Sequence, residues 1–128
     1  MNFNNFKKIN GVVVLTKFEN EFSIEYLSVR KKENRILSDE DVKLLPLTTN
    51  KNPNVNEWKV REKTTNRFIK YLQSKNKKVT ILDIGCGNGW FSNKMILLEN
   101  EVIGLDINMD ELKQAHRVFV SGKNKNLQ

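Results

Sequence analysis

The chain has 128 residues, of which 38% are apolar and 29% charged, and its net charge is +7. That is room for one domain at most, with a folded, globular composition that excludes fibrous, low-complexity and disordered classes. No apolar run nears the ~20 residues that span a bilayer. The first ten residues lack the apolar core of a secretion signal, so a cytoplasmic protein without a membrane partner is expected. Cys86 and His116 are the single cysteine and histidine, too few for an internal disulfide or a zinc cluster, and no metal is expected.

In chain order, residues 1–55 read as an N-terminal extension and residues 56–128 as an alternation of helix and strand. In the extension, the β-branched run Val12 to Phe18, a turn at Glu19-Asn20-Glu21, and alternating Phe22, Ile24 and Tyr26 predict a β-hairpin. Ser38 with Asp41 three positions on predicts a capped short helix that Pro46 ends. Pro53 among its asparagines predicts a loop.

Asn56 then caps a predicted helix to about Ser74, with Trp58, Thr65, Phe68, Ile69 and Leu72 on its apolar face. Val79 to Ile84 is apolar on both faces, as a buried parallel strand is. A glycine-rich turn, Gly85 to Gly89, leads into a helix from Trp90 to Glu99. A second buried strand runs from Val102 to Asp106. Asn108 with Glu111 caps a third helix that buries Leu112, Ala115 and Phe119. This order predicts an α/β fold with a parallel βαβ unit, part of a doubly wound sheet.

The net positive charge is concentrated. Eight basic residues (Lys59, Arg61, Lys63, Arg67, Lys70, Lys75, Lys77, Lys78) and one acid, Glu62, lie between Lys59 and Lys78. A solvated helix face is the favoured reading; attraction of a nucleic acid or another anion is the alternative.

The chemistry sits at Asp83-x-Gly85-Cys86-Gly87-x-Gly89. Glycines at a strand-to-helix turn let a ligand approach the backbone, and ligands in such sheets lie off the carboxyl ends of the strands. Asp106 ends the neighbouring strand, where a carboxylate can accept both hydrogen bonds of a ribose diol. The dinucleotide fingerprint G-x-G-x-x-G is not met, because Trp90 stands in place of its third glycine. Asp83 would repel a pyrophosphate but suits a ligand carrying an ammonium and a sulfonium.

The glycine turn, Asp83 before it, the strand ending in Asp106 17 residues after Gly89, and Asp110-Glu111-Leu112 with Ala115 together resemble the first motifs of class I S-adenosylmethionine-dependent methyltransferases. The resemblance covers about residues 56–125. It implies a partial Rossmann-like sheet, S-adenosylmethionine as cofactor, and transfer of its methyl group to an acceptor. By the same resemblance, Asp83 faces the methionine end of the cofactor. Gly85, Cys86, Gly87 and Gly89 lie along it, Asp106 holds the ribose, and Ile107 packs on adenine. Arg61 offers a partner for the cofactor carboxylate, the plainer reading being a surface charge. Trp58 and Trp90 read as packing residues, Cys86 as a small residue in a crowded turn rather than a nucleophile, and His116 as inert.

The family fold has seven strands. This chain is expected to supply two and the start of a third at Asn126-Leu127-Gln128, short of the strands that usually carry catalytic and acceptor-binding residues. No catalytic residue is assigned, the acceptor is unidentified with a small molecule favoured, and the open sheet edge predicts self-association. The alternatives are a non-catalytic nucleotide-binding or scaffold module and an NAD-dependent oxidoreductase.

Overall fold

The computed structural model describes residues 2–16 and 20–121. It is a mixed α/β arrangement with two separate two-stranded sheets. In the first, β1 (Lys8–Ile9) pairs antiparallel with β2 (Val12–Val13). Asn10 and Gly11, both at positive φ, make the two-residue turn that such a hairpin takes. This is not the expected hairpin of Val12 to Tyr26: of that hairpin's first arm only Val12–Val13 is strand, and it pairs back with Lys8–Ile9, while residues 17–19 lie outside the described residues.

The turn expected at Asn20-Glu21 and the second arm expected after it are corrected. Phe22, Ile24 and Tyr26 belong to helix α1 (Asn20–Lys32), not to a strand. Ser23, Tyr26, Leu27 and Arg30 are half-buried at steps of three, one and three, which is a helical stripe. Ile24, on the supposed inner face of the strand, is exposed. Tyr26 and Arg30 both reach Glu111, more than eighty positions away. Local alternation carries no trace of that partnership.

Helix α2 (Asp39–Leu44) is capped as expected, Ser38 accepting from the Asp41 N–H. Its Val42 is fully buried together with Leu45 just beyond it. Helix α3 (Val55–Ser74) starts earlier than expected, so Asn56 lies inside it and is not its cap. Asn54 holds the cap position, but its side chain donates to the Glu33 carbonyl at the end of α1. The apolar face is as expected: Thr65 and Leu72 are buried, and Phe68 meets Phe91 at 5.6 Å between ring centres.

Strand β3 (Thr80–Ile84) leads through the glycine turn into helix α4 (Trp90–Ile96) and strand β4 (Glu101–Leu105). The strands are parallel, with Thr80 opposite Glu101 and Ile84 opposite Leu105. Helix α4 stops three residues before the expected Glu99, which itself turns back at φ +65°. The connection is held by buried Asn100, which donates to the Met95 carbonyl and accepts from the Val79 N–H. The expectation that β3 is covered on both faces is also corrected. Leu82 and Ile84 are 58% and 75% exposed, while Ile81 and Asp83, on the other face, are half-buried. Helix α5 (Met109–Ala115) begins at the Asn108 cap and runs on as a π-helical turn, His116–Val120, with Leu112, Ala115 and Phe119 half-buried. His116 packs against Gly11 of the hairpin. Arg117 and Gln114 both bond Asp39, which fastens α2 to this helix. The third strand expected at 126–128 lies outside the described residues.

Candidate functional site

The site forms where the β3–α4 turn meets the end of β4. The Gly85 and Cys86 N–H groups both donate to the Leu105 carbonyl, at 2.7 and 3.1 Å. The Gly87 N–H donates to Asp106 Oδ2 at 2.8 Å. Asp106 Oδ1 accepts from the Asn108 N–H at 2.8 Å, so one carboxylate ties the glycine turn to the start of α5. The Gly89 N–H closes the turn on the Cys86 carbonyl. Four N–H groups of the bend are thus engaged inside the protein, unlike an open nest awaiting phosphate oxygens.

The electrostatics agree. Burial, then the nearby Asp106 and Asp83 carboxylates, push the Cys86 thiol up to about 12. This thiol is no thiolate nucleophile near neutral pH. Asp83 accepts from Ser92 Oγ at 2.6 Å, which pins the end of β3 to the first turn of α4.

Two cavities meet at the bend, both lined by Cys86. The larger, about 670 Å³, is mostly apolar and runs along β4 between α5 and the N-terminal hairpin; Asp106 and Ile107 line it. Its volume lies in the range of small-molecule sites. The smaller, about 110 Å³, lies between Gly85–Asn88, Trp58, Trp90 and three guanidinium groups, those of Arg30, Arg35 and Arg61. Gly85 faces open space: a Cβ built there meets nothing within 4 Å. A Cβ on Gly89 would come within 2.9 Å of the Ala115 Cβ, so this glycine lets the turn pack closely on α5.

Of the residues singled out from the sequence, Gly85, Cys86, Gly87, Asp106, Ile107 and Arg61 border one cavity or both. Gly89 borders the larger cavity, and Asp83 borders neither. The guanidinium of Arg61 is bonded to Glu57 and lies 4.9 Å over the Trp58 ring. Trp58 in turn meets Trp90 edge-on at 5.4 Å, as packing residues do. Sequence reasoning missed Arg30, Tyr26 and Glu111. Arg30 Nη2 bonds Glu111 Oε1 at 2.7 Å, yet its Nε is buried without a hydrogen-bond partner. The Glu111 carboxylate lies against Gly87, 3.4 Å from where a Cβ would stand. The helical period of α1, placing Tyr26 and Arg30 on one stripe, was the available signal.

An open glycine, a fixed carboxylate and an orphaned buried guanidinium donor fit a ligand with a diol at one end and a carboxylate at the other. Among the described residues, no helix is long and apolar enough to cross a membrane. The family model of the methyltransferase domain matches residues 75–128. A curated protein of Invertebrate iridescent virus 6, named "Putative methyltransferase 235L", is 32% identical over 72 residues, covering 48% of this chain and 27% of that protein. The chain thus spans about a quarter of that relative's length. No solved structure matches. These matches bear out the resemblance stated from the sequence: residues 75–128 are similar to a methyltransferase domain, and the chain is similar to part of a putative methyltransferase.

Proposed function

We propose that, with this segment as its core, the chain binds S-adenosylmethionine within a partial Rossmann-like fold and forms the cofactor-holding part of a methyltransferase. The observation that carries the reading is the Gly87–Asp106 hydrogen bond, which sets the glycine bend and an acidic strand end side by side. The bound cofactor supplies an electrophilic methyl group on a positively charged sulfur. The chain's own residues position and neutralise. Asp106 accepts from the ribose hydroxyls through the remaining lone pairs of its carboxylate. Ile107 and the apolar cavity beside it take the adenine. Gly85 lets the ligand pass close to the backbone. The carboxylates of Asp83 and Asp106 favour the cationic sulfur and ammonium, and Arg61 with Arg30 favours the carboxylate at the amino-acid end. Holding the methyl carbon in line with an acceptor is the main contribution such a site makes to the rate.

The alternative of a dinucleotide-dependent oxidoreductase fares worse on the same geometry. A pyrophosphate needs free backbone donors, whereas four N–H groups of the bend are engaged inside the protein.

The test is a calorimetric titration of S-adenosylhomocysteine into the wild type and Asp106→Ala. Losing charge-assisted bonds to the diol costs about 1.5–3 kcal/mol, or about ten- to a hundredfold in Kd. Equal affinity in a variant with native circular dichroism removes Asp106 from the site. Tighter binding of NADH than of S-adenosylhomocysteine by the wild type overturns the reading as a whole.

A further inference from the structure

Helix α3 has two unlike faces. Thr65, Phe68 and Leu72 turn inward toward α4. On the outward face Lys59, Lys63, Arg67 and Lys70 recur at steps of four, four and three, and all are exposed. Among the described residues, none of these four is engaged in an ion pair. The acids of the helix do not offset them: Glu57 is taken by Arg35 and Arg61, and Glu62 is half-buried on another face. At about 1.5 Å rise per residue the cations form a ridge about 16 Å long.

The ridge has a chemical feature at each end. Near its C-terminal end the Tyr71 ring is 53% exposed, with Lys75 Nζ 4.6 Å from its centre. Near its N-terminal end, Trp58 and Arg61 of the same helix line the cavity at the glycine bend. A row of unpaired cations ending in a half-exposed aromatic ring is the combination that holds a single strand, with phosphates on the charges and an unpaired base on the ring. A duplex offers its bases no such stacking, and Val60 is the one large apolar side chain exposed among the cations, too little for insertion into a bilayer.

We propose that the outward face of α3 is a binding surface for single-stranded nucleic acid. The surface stands independently of the cofactor assignment. It is tested by fluorescence anisotropy of a labelled oligouridine of about 20 nucleotides, titrated with the full chain between about 50 and 200 mM salt. Four phosphate contacts predict a slope of log K against log salt of about −3, and a Kd near 10⁻⁴–10⁻⁶ M at physiological salt. Lys63→Glu with Arg67→Glu weakens binding at least tenfold. Lys8→Glu with Lys51→Glu, the same charge change at exposed positions elsewhere, weakens it less than threefold. Tyr71→Ala weakens binding several-fold and leaves the slope unchanged, as loss of stacking does. Equal losses in the two charge-reversed pairs, no binding at the lowest salt, or equal affinity for anionic vesicles and no effect of Tyr71→Ala would each overturn the proposal. Circular dichroism of every variant confirms the fold.

Discussion

Gly85→Ala and Gly89→Ala put the same methyl group on two glycines of one turn, at almost the same backbone angle, φ +77° and +74°. Each replacement carries the left-handed penalty of an L-residue, about 1–2 kcal/mol. Beyond that they part. The new Cβ at Gly85 meets nothing, so the fold loses only that penalty, a fall in Tm of about 4 °C per kcal/mol for a chain of this size. The Cβ at Gly89 comes within 2.9 Å of the Ala115 Cβ. Crowding of that kind adds about 1–3 kcal/mol. Gly89→Ala is therefore the less stable variant by roughly that amount, while Gly85→Ala is the one that blocks the ligand. In urea denaturation and a calorimetric titration of S-adenosylhomocysteine, Gly85→Ala loses at least tenfold in affinity, about 1.4 kcal/mol. Wild-type affinity in folded Gly85→Ala would refute the placement of ligand over the open side of the turn. Equal stability of the two variants would refute the close packing of Gly89 on α5.

Two further outcomes follow from titrating groups. The Cys86 thiol, pushed up to about 12, resists disulfide exchange reagents at pH 8 until the chain unfolds. The unfolded thiol ionises near its ordinary value of about 8.5, so above that pH the unfolded state binds fewer protons. Stability then falls as pH rises toward the folded value, and Cys86→Ser, followed by thermal unfolding from pH 8 to 10, shows a shallower alkaline decline. Asp39 moves oppositely: hydrogen bonds from Arg117 and Gln114 hold its carboxyl well below the usual range. Its contribution is present above pH ~4 and lost as pH falls through the ordinary carboxyl range and below it, so Asp39→Asn narrows the gap in Tm between pH 6 and pH 3.

Most of the candidate site is legible in the sequence because it is local. The turn, the two parallel strands and the Asn108 cap lie within about thirty positions, and each is written in residue types with one dominant use: glycine at positive φ, asparagine at a helix start, β-branched runs in strands. The failures share a cause as well. Phe22, Ile24 and Tyr26 alternate as a strand would, but the decision for helix is made by Glu111 and the stripe it recognises. Arg30 was passed over for the same reason, since its relation to Gly87 exists only through that distant carboxylate. Leu82 and Ile84 read as buried because composition reports what a strand can bury, and not which face is covered.

The double anchoring of Asp106 has a consequence for recognition. Its two oxygens are held by amides from separate elements, Gly87 and Asn108, before any ligand arrives. On the proposed reading, an incoming ribose would meet an acceptor whose rotamer is already fixed, so little side-chain entropy would be lost on complexation, which favours affinity. The same clamp ties the glycine turn to the start of α5, so on that reading a sugar presenting its hydroxyls at another angle would be rejected instead of accommodated.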